Sequence, residues 1–126
     1  MSTVRNALLP VIVTLCALAT HSARAAEPVV VLVKVFPAEG REAELEQQYL
    51  KRIEYLRKAE PSATFRLHRS TKSPATFLWY EIYESPGAYD SHLKVVMPAF
   101  RKEAGPTPAG LLAKPSESET YTELAR

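Results

Sequence analysis

Apolar residues recur along this chain in two rhythms, every second position and every third or fourth, and their alternation predicts the order of its elements. Val29 to Phe36 (VVVLVKVF) is a β-branched run, the composition of a strand. Val29, Val31, Val33 and Val35 share one face; Val30, Leu32 and Phe36 dominate the other, with Lys34 the only charge. Pro37 to Gly40 closes it. A helix is expected from about Arg41 to Ala59, rich in Glu, Lys, Arg, Leu and Gln, all good helix formers. Leu45, Tyr49, Ile53 and Leu56 make its apolar stripe, Glu54 and Lys58 a favourable i,i+4 pair, and Pro61 ends it by Glu60.

Ala63 to Ser70 alternates, with Phe65 and Leu67 on one face and Thr64, Arg66 and His68 on a polar one. After the turn at Thr71 to Pro74, Phe77 to Tyr83 is nearly all apolar or aromatic, which suits a central strand. Phe77, Trp79, Glu81 and Tyr83 fall on one face; Leu78, Tyr80 and Ile82 fall on the other. Ser85 has the chemistry of an N-cap and Pro86 that of a first helical residue. Tyr89, Leu93, Val96, Met97 and Phe100 then form one helical stripe, with His92 among them on the buried side. Pro98 is expected to interrupt this helix, with a short continuing turn at Ala99 to Glu103. Beyond it come a loop at Gly105 to Gly110, a brief apolar piece at Leu111 to Ala113, a polar linker at Pro115 to Glu119 and a last strand at Thr120 to Leu124.

The order β-α-β-β-α-β is the ferredoxin-like arrangement of the α+β class, an antiparallel sheet with both helices on one face. The other face would remain largely apolar, a patch too large for a soluble monomer. A second copy laid sheet to sheet is the simplest cover. The expectation is a homodimer with a barrel-like core.

Composition changes this picture at the N-terminus. Arg5, the apolar run Ala7 to Thr20 and the small-x-small Ala23-Arg24-Ala25 have the layout of a secretory signal peptide. The run is short for a bilayer span and carries Pro10, so no stable membrane anchor is expected; the bulky Leu15 before Cys16 speaks against a lipid anchor. The chain therefore divides into a signal peptide (1–25), a ferredoxin-like domain (26–104) and a C-terminal loop with a last strand (105–126). Cleavage near Ala25 places the product in the periplasm or outside the cell and removes the only Cys. It also removes Arg5 and Arg24, leaving 14 basic residues of the original 16 against 14 acidic ones. That balance, with export, argues against a nucleic-acid partner.

The segments VKVFPAEGREAEL, EPSATFRLHRS and above all YEIYESPGAYDSHL resemble the antibiotic biosynthesis monooxygenase family, over about Val29 to Phe100. The resemblance implies a dimeric α+β barrel. It implies relatives that oxidise quinols or polycyclic phenols with O₂ without flavin or metal, and others that degrade haem. In the aromatic-oxidising branch, Tyr83 stands where a strand Trp is found, Tyr89 where a helix Tyr is found, and Trp79 where an Asn is found. His92 matches the His of quinol-oxidising relatives; the second His that often follows is Met97 here. No His stands where the haem-degrading relatives carry their axial ligand.

Such chemistry, as the resemblance implies it, needs a base, donors for a substrate anion and exclusion of water. No cofactor is expected. His92 is the first choice as base or donor, because an imidazole titrates near neutral pH, with Tyr83 and Tyr89 as the other catalytic candidates. Trp79, Arg66 and His68 are the candidates for holding substrate. Each also has a plain structural reading: His92 as a core histidine bonded to a backbone carbonyl, the aromatics as core with a polar handle, Arg66 and His68 as solvated or at a dimer rim. Metal ligand spacing, a phosphate loop and a nucleophile turn are all lacking. Two functions stand: an exported monooxygenase acting on a quinol or similar small aromatic, and a non-catalytic dimeric barrel that binds a small hydrophobic molecule.

Overall fold

The computed structural model describes residues 26–124; the signal-peptide expectation lies outside the described residues. The elements are β1 (Val29–Val35), α1 (Glu42–Ala59), β2 (Thr64–Arg69), β3 (Phe77–Tyr83), α2 (Pro86–Ser91), a π-helical turn (His92–Val96), α3 (Met97–Ala104) and β4 (Glu117–Thr122). The sheet is antiparallel throughout, in the order β2-β3-β1-β4. This is the expected ferredoxin-like α+β arrangement, with β3 internal. The sheet is open and does not close on itself.

Register explains where the core sits. Val31 lies opposite Glu81, Val33 opposite Trp79, and Val35 opposite Phe77; Phe65 lies opposite Glu81 on the other side. Facing residues share a side of the sheet, so this side carries the valines of β1, the aromatics of β3 and Phe65. Ile53 and Leu56 of α1 and Met97 of α3 cover it. A second cluster joins Val35, Leu45 and Phe77 to Leu111, which is fully buried. Leu111 reaches it because the chain beyond α3 returns beside β1: its carbonyl accepts from Ala38 N–H at 2.9 Å, and Ala113 N–H donates to Phe36 O at 2.9 Å. Gly105 makes that return with a positive φ of 77°, a conformation that favours glycine.

Among the described residues no helix lies over the opposite side of the sheet. Val30, Leu32, Tyr80 and Ile82 are half-buried there by their neighbours alone, and Leu78 and Tyr121 are exposed. The apolar uncovered face is therefore present as expected.

Ser85 caps α2 as anticipated, its Oγ accepting from Ala88 N–H at 3.1 Å, with Pro86 next. Pro98 departs from expectation: it does not break the helix. A regular turn would drive its ring into the Lys94 carbonyl, which it also cannot hydrogen-bond. The preceding turn instead widens, and Met97 N–H reaches back five residues to His92 O, the π-helical pairing. The wider turn shifts the helical phase. His92 and Met97 are buried, but Leu93, expected in the stripe, is 49% exposed.

The last strand starts at Glu117, within the stretch expected to be linker, and ends at Thr122. All six of its residues are exposed. Its side chains carry no burial pattern because none of the described residues covers either face. Backbone pairing with β1, from Val29 opposite Thr122 to Lys34 opposite Glu117, is what holds it.

Candidate functional site

The inward face of β3 sets three chemically active side chains in a row. Trp79, Glu81 and Tyr83 are two residues apart and all buried, as strand alternation dictates. Glu81 is the hub. Its Oε1 accepts from Trp79 Nε1–H, and its Oε2 accepts from Tyr83 O–H at 2.8 Å. A carboxylate 4% exposed is tolerable in a core because both oxygens are engaged. Burial, and then the adjacent Glu81 charge, push the Tyr83 phenol far above the ordinary tyrosine range. Tyr83 is therefore a protonated donor, and its proton is committed to Glu81.

His92 stands beside this row at the start of the π turn. Its ring centroid is 5.1 Å from that of Tyr83 and 6.1 Å from that of Phe65. Its Nδ1 lies 2.7 Å from Glu60 Oε2, with side-chain exposures of 3% and 11%. A carboxylate only accepts, so Nδ1 carries the proton of this bond, and in the neutral form of the imidazole the lone pair is then on Nε2. Glu60 can reach because it ends α1, where its own N–H bonds Leu56 O at 2.8 Å. The structural reading of His92 was a bond to a backbone carbonyl; the partner is a carboxylate instead.

Tyr89 of α2 is half-buried, its ring 5.1 Å from that of Tyr83. Burial, and then the charge of Glu81, raise its phenol as well. Its hydroxyl has no hydrogen-bond partner among the described residues. Across the row, the Arg52 guanidinium of α1 lies 5.0 Å from the Trp79 ring centroid, a cation–π distance.

Four of the six sequence candidates thus come together: Trp79, Tyr83, Tyr89 and His92. Arg66 and His68 do not join them. They lie opposite Tyr80 and Leu78, on the uncovered side of the sheet, and both are exposed. An aromatic-lined hollow was expected around the four. Tyr83 packs on Tyr89 and His92 instead, Phe65 joins Trp79 to Tyr83 and His92, and none of the four lines any of the larger pockets among the described residues.

Sequence reasoning passed over Glu81, Glu60 and Arg52 as site residues. Glu81 carried a signal, a carboxylate on an inward face between Trp79 and Tyr83. Arg52 carried a weaker one, three residues after Tyr49 along the α1 stripe. Glu60 carried none, because only the tertiary fold sets the end of α1 against the second helix. Among the described residues no group of three or more His, Cys, Asp or Glu is placed to hold a metal ion.

Comparison with known proteins agrees with this architecture. A protein of unknown function from Nitrosomonas europaea is 23% identical and superposes with a TM-score of 0.57, covering 82% of this chain and 95% of its own. A Caulobacter crescentus protein, named as a candidate antibiotic biosynthesis monooxygenase, is 20% identical with a TM-score of 0.62, covering 80% and 93%. A Mycobacterium tuberculosis protein is 21% identical with a TM-score of 0.59, covering 79% and 97%. At these identities the likeness establishes fold alone. No curated protein matches the chain with significance. The sequence profile of the antibiotic biosynthesis monooxygenase family, by contrast, matches residues 28–102, spanning β1 to α3 and every member of the aromatic row. The chain belongs to the antibiotic biosynthesis monooxygenase family.

Proposed function

We propose that this protein is an exported, cofactor-independent monooxygenase that oxidises a quinol or similar hydroxylated aromatic with O₂. The observation that carries the reading is the buried His92–Glu60 pair set against the Tyr83 and Phe65 rings. Membership of a monooxygenase family supports it. His92 Nε2 takes the substrate's hydroxyl proton while Glu60 stabilises the imidazolium. The substrate anion passes one electron to O₂, and the two radicals combine at a ring carbon. The O–O bond then breaks. One oxygen stays on the ring as a carbonyl, and the other leaves as water with the ring hydrogen and the proton returned by His92. Tyr89, with its hydroxyl uncommitted, is the donor to the substrate oxygen. Trp79 and Tyr83 spend their protons on Glu81 and act as rigid walls.

The active form in this reading is a homodimer, two uncovered sheet faces closing a barrel, with Arg66 and His68 at the seam. Cleavage near Ala25 delivers it to the periplasm or beyond. Oxygen uptake with a panel of quinols tests the chemistry: the wild type should consume O₂, and His92→Ala should not. Turnover insensitive to both His92→Ala and Tyr83→Phe would remove this site from the reaction. The tight packing of the four residues favours a second reading, a non-catalytic barrel that binds a small hydrophobic molecule. Absence of turnover on every electron-rich aromatic would select it.

A further inference from the structure

Arg52 is an enclosed cation with no carboxylate in direct contact among the described residues, the buried Glu81 acting on it only through space. Its Nε is buried with no hydrogen-bond partner, and its Nη2 donates only to the Met97 thioether, at 3.3 Å. No carboxylate lies within ion-pair distance of it among the described residues. Its guanidinium stacks on the Trp79 ring at 5.0 Å and lies 5.9 Å from the rings of Tyr49 and Phe100. Enclosing a charge this way is costly unless something compensates it.

The space around Arg52 is a two-lobed crevice between α1, α3 and the Gly105–Thr107 turn. One lobe is a slot of about 60 Å³ with Leu45, Tyr49 and Phe100 on its walls. The other is wider, about 460 Å³, and brings in Arg101. Both lobes share Arg52 and Phe100, and no Asp or Glu lines either. Burial above all disfavours the Arg52 charge, Glu81 favours it, and Arg101 opposes it; with two arginines and no carboxylate on its walls, the crevice itself is electropositive, with aromatic sides.

We propose that this crevice is a binding site for a small planar aromatic carboxylate, its ring against Phe100 in the wider lobe and its carboxylate on Arg52. A guanidinium offers paired N–H donors in the plane that a carboxylate matches. The ring enters the wider lobe beside Met97 and Phe100, and Arg101 steers the anion. The crevice adjoins the proposed oxygenase site through Trp79, but its test reads binding and needs no turnover.

Trp79 is the only tryptophan and lies against Arg52, so its fluorescence reports occupancy directly. Titrating the purified protein with sodium benzoate should give a saturable change, and the neutral comparator benzyl alcohol should bind about tenfold more weakly or worse. Arg52→Gln should weaken benzoate about tenfold while leaving benzyl alcohol as it was. Lys51→Gln, one residue away but exposed on α1, should change neither. Should Arg52→Gln fail to fold, Arg101→Gln at the mouth should weaken benzoate selectively. No saturable response to benzoate, or equal affinity for acid and alcohol, overturns the proposal. So does unchanged benzoate affinity in the arginine variants.

Discussion

Glu60 and His92 meet at 2.7 Å although 32 residues separate them in the chain. One caps the end of α1 and the other opens the π turn before Pro98. The pair ties the two helical segments together over the aromatic row. It also assigns the ring's protons, because the carboxylate holds Nδ1–H and leaves Nε2 as the basic nitrogen.

His92→Ala is expected to lower the turnover number with a quinol by about 100-fold or more, the usual contribution of a positioned base. Glu60→Gln keeps an acceptor oxygen for Nδ1–H but loses the charge that stabilises the imidazolium, so an intermediate loss is expected. Oxygen-electrode rates for the three proteins check this. A Glu60→Gln variant slower than His92→Ala would contradict the assigned roles.

Removing Glu81 strands two buried donors, the Trp79 indole N–H and the Tyr83 hydroxyl. Glu81→Ala should therefore destabilise the fold by about 2–6 kcal/mol, about one to three for each orphaned group. Glu81→Gln, which retains one accepting oxygen, should cost less. Urea denaturation measures both. An alanine variant within about 0.5 kcal/mol of wild type would mean that the two donors find other partners.

Alkaline stability carries the signature of Tyr83. Its phenol is raised in the folded state, so the unfolded chain ionises first, at about pH 10. The stability this group contributes is whole below that pH and is lost progressively above it. Above about pH 10 the unfolding free energy should fall with pH, and in Tyr83→Phe the fall should be shallower by about 1.4 kcal/mol per pH unit. Tyr49 and Tyr89, also raised by burial, sustain the remaining slope. Parallel wild-type and variant curves would show that Tyr83 ionises normally.

Ile82 sits on the uncovered face between Val30 and Thr64, with no basic residue directly opposite to neutralise a new charge. If two sheets clasp there, Ile82→Asp would bury a carboxylate in an apolar seam and should convert a dimer to monomers in sedimentation. A wild-type protein that sediments as a single subunit would refute the dimer outright.

The sequence by itself determined the element order, the inward faces of the first three strands, the Ser85–Pro86 helix start and the family. These rest on local chemistry: strand alternation, propensity and the capping of a chain end are legible one short window at a time. Tertiary structure decided the rest. Pro98 read as a break until packing required a continuous helix there, and the π turn that resolved the conflict moved Leu93 outward. The polar stretch Glu117 to Thr122 became a strand because β1 offered it an unpaired edge, a demand invisible in its own side chains. The Glu60–His92 contact and the enclosure of the Arg52 guanidinium arise only where distant segments converge. Which groups lose water, and which partners they then find, is a property of the assembled fold.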